Sequence, residues 1–171
     1  MNHPHFSFER RMLHLAAFDP KAVKHGNERG SLANLLFVTQ GTSADLAMLH
    51  PNLRQSLYTK SDAIGIDKDA DILTVLRFPQ LKTIRWEYEQ VGSEFTIHYG
   101  IKDDGGIEQG DCEVDKLKFT PMEGAIVEFR FRVRCRPTEQ QAGKIYEMIK
   151  TDLVCSLTPP AQKELALQKQ A

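Results

Sequence analysis

Apolar and polar residues alternate strictly over residues 125–136, AIVEFRFRVRCR. Successive side chains of a strand point to opposite faces, so residues of one parity share a face. One parity is apolar and comprises Val127, Phe129, Phe131, Val133 and Cys135. The other parity comprises Glu128, Arg130, Arg132, Arg134 and Arg136. This pattern predicts a half-buried strand whose outer face carries four arginines.

Shorter apolar or alternating runs predict further strands along the chain. They cover residues 5–18, 32–39, 72–78, 107–114, 116–119 and 153–157. The parity breaks between Val114 and Leu117, which predicts a β-bulge near Asp115.

A hairpin and two loops are also predicted. Residues 83–101 alternate on both sides of the segment 90–93, which contains a glycine, so this segment predicts the turn of a hairpin. Residues 20–30 and 60–70 are polar and contain glycine, and they predict loops.

Two regions have helical spacing. In residues 42–57, leucines recur at intervals of three and four, but Pro51 interrupts the pattern, so we expect two short helical turns rather than one helix. Residues 138–150 predict the one full α-helix. Its apolar stripe comprises Ala142, Ile145, Met148 and Ile149.

These elements predict a mainly β fold, a β-dominated α+β domain. Seven to nine short strands with one α-helix in the C-terminal half and a short helical insertion are typical of an antiparallel β-sandwich or an open barrel. The chain has 171 residues, of which 41% are hydrophobic and 26% charged. This composition fits a single domain over residues 1–160, followed by a polar C-terminal tail over residues 161–171.

Charge and cysteine content limit the kinds of partner and compartment that we expect for this protein. The formal net charge is −1, from 22 basic and 23 acidic residues, so any binding to nucleic acid must come from a local patch. No apolar run approaches the roughly 20 residues that span a bilayer, and the first residues do not have the pattern of a secretory signal. The three cysteines form no CxxC motif. We therefore expect a cytoplasmic protein with free thiols and no membrane partner.

Three stretches carry a resemblance to known proteins. They are FDPKAVKHGNERG, RFPQLKTIRWEYEQVGSEFTIHYGI and DKLKFTPMEGAIVEFRFRVRCRP, the last followed by a predicted helix and TPP. Together they resemble an uncharacterised family of small phage and prophage proteins, and the resemblance covers residues 10–160. Relatives of this kind lie in the early region of phage genomes, sometimes near recombination and replication genes. The resemblance implies an accessory protein and supplies no catalytic motif.

The basic strand face is the candidate binding site. Its residues are Arg130, Arg132, Arg134 and Arg136, with Lys116 and Lys118 across the predicted turn at residues 120–124. Arginine suits bidentate contacts with phosphate, and basic grooves track single-stranded nucleic acid. The same face could bind an acidic protein surface. A purely structural alternative is a solvated face with cross-strand ion pairs, each worth about 0.2–1 kcal/mol.

Three functions follow from these patterns. The first is a non-enzymatic phage or prophage accessory protein that binds single-stranded nucleic acid. The second is an adaptor or inhibitor that acts on a host or phage enzyme. The third is a self-assembling structural subunit, and we expect at least a homodimer because several apolar strands need to be covered.

Aromatic residues offer a second candidate feature. Trp86, Tyr88, Phe95 and Tyr99 could form a platform on which bases stack. They share a parity with Ile84 and Ile97, which favours a buried sheet face instead. The opposite parity, which includes Arg85 and His98, is expected to face solvent without a particular role.

The motifs of enzymes and metal sites are missing from the sequence. Residues 67–71 begin like a calcium loop, but Ile72 and Phe78 stand where glycine and glutamate are required. His3 and His5 form an HxH pair without further ligands nearby. No GxSxG, HExxH or phosphate-binding glycine pattern occurs. We therefore expect a protein that is not an enzyme and uses no cofactor or metal.

Overall fold

The computed structural model describes residues 5–25, 28–61, 73–99 and 106–160, and for residues 22–25 and 28–31 it describes the backbone alone. The strands are β1 Phe8–His25, β2 Glu28–Thr42, β3 Tyr58–Lys60, β4 Leu73–Leu76, β5 Ile84–Arg85, β6 Glu89–His98, β7 Ile107–Met122, β8 Ile126–Cys135 and β9 Asp152–Thr158. The helices are a 3₁₀ helix Ser43–Met48, α1 Leu53–Leu57 and α2 Glu139–Glu147. The predicted β-dominated fold is confirmed.

Six strands pair in a closed order that we call the strand ring. Each neighbouring pair is antiparallel, in the order β1, β2, β8, β7, β6, β9 and back to β1. Strand β7 joins the ring because its first half pairs with β6 and its second half with β8. The short strand β5 pairs with β7 next to the start of β6. The sequence predicted a sandwich or an open barrel, and the β7–β8 pairing closes this barrel.

The predicted inner parity of β8 forms part of the core. All five of its apolar side chains, from Val127 to Cys135, are 2% exposed or less. Phe6 packs against Phe131 with 5.0 Å between ring centroids. The backbone N–H of Phe6 donates to the Tyr88 hydroxyl, and Gln90 donates to the Phe6 carbonyl. These bonds fasten the N-terminal segment to the chain that links β5 to β6.

The helical predictions are confirmed in outline. The region around Pro51 forms the 3₁₀ helix and α1 rather than one helix. Asp45 accepts the Thr42 backbone N–H, which caps the 3₁₀ helix, and also binds Arg11 at 2.9 Å. Thr138 caps α2 through a reciprocal pair of hydrogen bonds with Gln141. Within the described ranges, every helix is too short or too polar to cross a membrane.

The loop predicted over residues 20–30 is wrong. Strand β1 continues to His25 and β2 begins at Glu28, with Pro20 opposite Ala33 and Lys24 opposite Arg29. Backbone ladder bonds join the two strands regardless of side-chain polarity. A search for apolar alternation therefore does not detect the polar end of this hairpin.

The hairpin predicted over residues 83–101 is also wrong. Strand β6 runs straight through the predicted turn, and β5 pairs with β7 instead of β6. Gly92 has φ +82° and lies where the register with β7 shifts, so it forms a bulge rather than a turn. Gln90 and Ser93 are buried and hydrogen-bonded to each other at 2.9 Å, which fixes the strand on both sides of this glycine.

The remaining strand predictions are confirmed with altered bounds. The two strands predicted around Asp115 are one long strand, β7, which is irregular at the predicted place, where the register with β8 shifts between Asp115 and Lys118. Lys116 within this bulge has φ +52°. The last strand, β9, and the short β4 match their predicted positions. The calcium-like segment 67–71, His3 and the tail over residues 161–171 lie outside the described residues.

Candidate functional site

Arg132 is held by the protein's own carboxylate. Its guanidinium donates to Asp115 from Nε at 2.7 Å and from Nη2 at 2.5 Å. Both side chains are less than one-fifth exposed. The hydrogen bond to Asp115 raises the pKa of Arg132 above its usual value. The bidentate pair therefore joins β7 to β8, and its charges neutralise each other.

The other arginines of the basic strand face have mixed surroundings. Arg134 lies 3.3 Å from Glu113 and is one-third exposed. Arg130 pairs with Glu128 at 2.9 Å, but its side chain is 59% exposed. Arg136 follows the end of β8 and is exposed. Acidic residues of the same chain therefore pair with three of the four arginines, and two of these pairs are the cross-strand ion pairs of the structural alternative.

A different row of basic residues crosses the sheet. Lys118 on β7 lies directly opposite Arg85 on β5 and directly opposite Arg130 on β8. Directly paired residues project from the same face, and neighbouring strands are about 4.8 Å apart. These side chains point outward, because the adjacent Phe119 and Phe129 are buried. We call Arg85, Lys118 and Arg130 the basic row.

Two of the three residues of the basic row, Arg85 and Lys118, have no ion pair within the described residues. Among the described residues, no carboxylate lies within 4.0 Å of the Arg85 or Lys118 side-chain nitrogens, and Arg130 has only its exposed pair with Glu128. Like charges directly opposite each other in a ladder are destabilising. The close approach of Lys118 to its two basic neighbours is therefore unfavourable.

An open groove with an aromatic wall adjoins the basic row. It has a volume of about 530 Å³ and is lined by Arg85, Trp86, Glu87, Lys116, Leu117 and Lys118. The Trp86 ring packs against the buried Phe119, with 6.1 Å between centroids and 58° between planes. We call this space the Trp86 groove. Its lining carries three basic side chains and one acidic side chain.

A second groove that Trp86 also lines has a mainly acidic lining. It has a volume of about 390 Å³. Its acidic lining residues are Glu87, Glu89, Glu113 and Asp115. Trp86, Glu87 and Lys116 line both grooves. Of these acids, Asp115 and Glu113 are paired with Arg132 and Arg134.

The predicted aromatic platform does not form as a unit. Phe95 and Ile97 are buried, as their parity indicated. The Tyr88 hydroxyl donates to Gln90 at 2.6 Å, and burial raises the pKa of Tyr88. The Tyr99 hydroxyl accepts from Lys144 at 2.9 Å. Of the four aromatic residues, Trp86 is the one that lines the Trp86 groove.

Arg85 is the site residue that sequence reasoning missed. It was expected to face solvent without a role, and it is exposed. Its position matters because β5 pairs with β7 and places it beside Lys118. A two-residue strand is too short for periodicity to reveal its partner. An isolated basic residue next to the chain's single tryptophan was the available signal.

The described residues do not assemble a triad or a metal site. His98 Nε2 lies 2.7 Å from the Ser156 hydroxyl, which also accepts the Arg10 backbone N–H. Within the described ranges no acidic residue contacts this histidine, and no three His, Cys, Asp or Glu side chains gather as a metal would require. Burial raises the pKa of Cys112, Cys135 and Cys155 to about 12, which makes the thiols poor nucleophiles.

Comparisons with known proteins do not identify a relative. No protein-family model, curated protein or solved structure matches this chain. The resemblance to phage and prophage proteins therefore stays a prediction. Function has to be inferred from the basic row and the groove beside it.

Proposed function

We propose that this protein binds single-stranded nucleic acid through the basic row, as a non-enzymatic accessory protein of a phage or prophage. The observation that carries the proposal is the register that aligns Arg85, Lys118 and Arg130 on three neighbouring strands. Lys116, which is exposed, adds a fourth positive charge at the adjacent bulge. A phosphodiester backbone supplies the negative charge that this arrangement needs.

The energetics favour a bound anion over a purely structural role. Each like-charged pair directly opposite in a ladder costs an amount comparable to the ~0.2–1 kcal/mol that opposite charges gain. Phosphate removes this cost and forms charge-assisted hydrogen bonds, which arginine can make in bidentate form. The exposed ion pair of Arg130 with Glu128 is weak, so this arginine can exchange its carboxylate for a phosphate.

The shape of the site favours single strands over a duplex. The basic row spans three strands, about 10 Å at the usual strand separation. It lies beside an open groove with an aromatic wall. Bases of a single strand can leave the stack and reach an aromatic side chain, whereas duplex bases are paired and stacked. A short, local site of this kind suits a flexible strand.

The test compares two charge reversals of equal size. Lys118→Glu places an acid in the middle of the basic row, whereas Lys21→Glu changes an exposed lysine on β1, outside the row. Each replaces one positive by one negative charge and takes the net charge from −1 to −3. Fluorescence anisotropy with a labelled 20-nucleotide single strand in 50 mM salt should show at least about tenfold weaker binding for Lys118→Glu alone. Equal affinities of the two variants, or no binding by the wild type, would contradict the proposal.

An acidic protein surface is the second candidate partner of the basic row. Glu128 on Arg130 and Asp115 on Arg132 are examples of carboxylates that this face already binds. In that case the protein acts as an adaptor or inhibitor of a host or phage enzyme. Binding to acidic peptides but not to oligonucleotides would favour this candidate.

Self-assembly is the third candidate function. Met12 and Leu36 are large apolar side chains on β1 and β2 that are 57% and 42% exposed. Their burial between copies of the chain would form at least a dimer. Light scattering coupled to size exclusion distinguishes a monomer from such an assembly.

A further inference from the structure

We infer that the Trp86 groove holds one unstacked nucleobase of the bound strand, with the neighbouring phosphates on Lys116 and Lys118. This inference rests on the proposed function and assigns a separate part of the site to the base. The basic row would bind the backbone, and the groove would bind one base beside it.

Trp86 is positioned as a rigid stacking surface. Its backbone N–H donates to the Leu117 carbonyl at 3.0 Å, which ties it to β7. Its ring packs against Phe119, which is buried in the core. Trp86 is partly buried and is one of the residues that line the open groove. A fixed aromatic ring stacks on a base without losing much conformational freedom of its own.

The groove has a size and charge that suit a nucleotide. Its volume of about 530 Å³ lies within the range of about 300–1,000 Å³ that small-molecule sites occupy. The basic residues Arg85, Lys116 and Lys118 surround the aromatic wall, with Glu87 as the one acid. Base stacking on an aromatic side chain beside positive charges is the usual way in which proteins hold single strands.

The bulge in β7 directs Lys116 to this place. Lys116 adopts φ +52°, a left-handed conformation that is uncommon for a residue with a side chain. Bulges re-aim side chains and are often found beside functional sites. Lys116 is exposed and lines both grooves.

The experiment uses the fluorescence of Trp86, the chain's single tryptophan. The full chain is titrated with oligothymidylate and with an abasic strand of the same length, and binding is followed by anisotropy in parallel. We expect oligothymidylate to quench the emission, and the abasic strand to bind about tenfold more weakly without quenching. Oligouridylate in a third titration shows whether the site distinguishes DNA from RNA.

Two variants complete the test. Trp86→Leu should weaken binding of oligothymidylate about tenfold and leave binding of the abasic strand unchanged. Trp86→Phe keeps an aromatic ring and should retain most of the affinity, and thermal unfolding monitors the fold of both. Strand binding with unchanged tryptophan emission, or equal affinity for the abasic strand, would overturn the inference while the proposed function stands. No binding of any strand would overturn both.

Discussion

Arg132 and Lys118 lie on neighbouring strands, yet they have opposite surroundings. Arg132 forms two hydrogen bonds with Asp115, whereas Lys118 lies between two other basic residues. A charge that is neutralised inside the chain stabilises the fold and offers little to a partner. A charge held beside like charges costs stability and remains available. The register of the strands, rather than the number of arginines, therefore decides which residues can bind.

Removal of the Arg132 guanidinium should destabilise the protein. Arg132→Ala leaves the largely buried Asp115 carboxylate without its partner, so the free energy of unfolding should fall by about 1–3 kcal/mol. Arg130→Ala is the matched control, because Arg130 is mostly exposed and its ion pair contributes about 0–1 kcal/mol. Urea unfolding followed by circular dichroism measures both variants. Equal losses would mean that Arg132 has no special structural role.

Strand β7 connects the structural and the binding parts of the molecule. Its first half pairs with β6, its second half with β8 and β5, and its bulge carries Lys116. The same strand supplies Asp115 to the structural pair and Lys118 to the basic row. A site spread over β5, β7 and β8 exists only when these strands hold their register.

Strand β2 is constrained at Gly41, where its backbone passes close to the cap of the 3₁₀ helix. A Cβ atom there would lie 3.1 Å from the Phe129 ring and would collide with the Asp45 carboxylate. That carboxylate cannot move freely, because it binds Arg11 and the Thr42 backbone. Gly41 therefore lets β2 approach the helix closely.

Gly41→Ala should lower the free energy of unfolding by about 1–3 kcal/mol, the usual cost of overpacking. Gly110→Ala is the matched control, since Gly110 also lies in a strand and a Cβ there meets nothing within 4 Å. Thermal and urea unfolding of the two variants provide the comparison. A Gly41 variant as stable as the Gly110 variant would show that Asp45 and its partners relax easily.

The sequence predicted well the elements whose side chains alternate between core and solvent. Strand β8 and the face that it buries were predicted correctly, because five apolar residues lie on one face of the strand. The polar end of the β1–β2 hairpin and the path of β6 through Gly92 were missed, because backbone pairing and buried polar bonds fix them. Strand partners depend on the whole fold, and short-range patterns carry little information about them.

The candidate site was predictable in kind but not in composition. Lys116, Lys118 and Arg130 were predicted from the sequence. Lys116 and Lys118 line the Trp86 groove, and Lys118 and Arg130 belong to the basic row. Arg132 was named as a binding residue, but Asp115 lies opposite it and pairs with it. Arg85 could not be recognised, since its role depends on the two-residue strand β5.

The whole molecule carries almost balanced charge, so its field does not attract nucleic acid at long range. The net charge is −1, and an acidic groove lies next to the basic one. Affinity must therefore come from a few local contacts, and binding should be modest and sensitive to salt. The number of phosphates neutralised can be read from that salt dependence.

The salt dependence of strand binding tests most directly whether the basic row contacts phosphates. For single strands, the logarithm of the binding constant falls with the logarithm of salt concentration by about 0.7 per phosphate neutralised. Contacts of the three basic-row residues and of Lys116 predict a slope of about −2.8 for the wild type, and Lys118→Gln should reduce its magnitude by about 0.7. Lys21→Gln, which removes the same charge elsewhere, should keep the wild-type slope. Identical slopes for all three proteins would contradict the account.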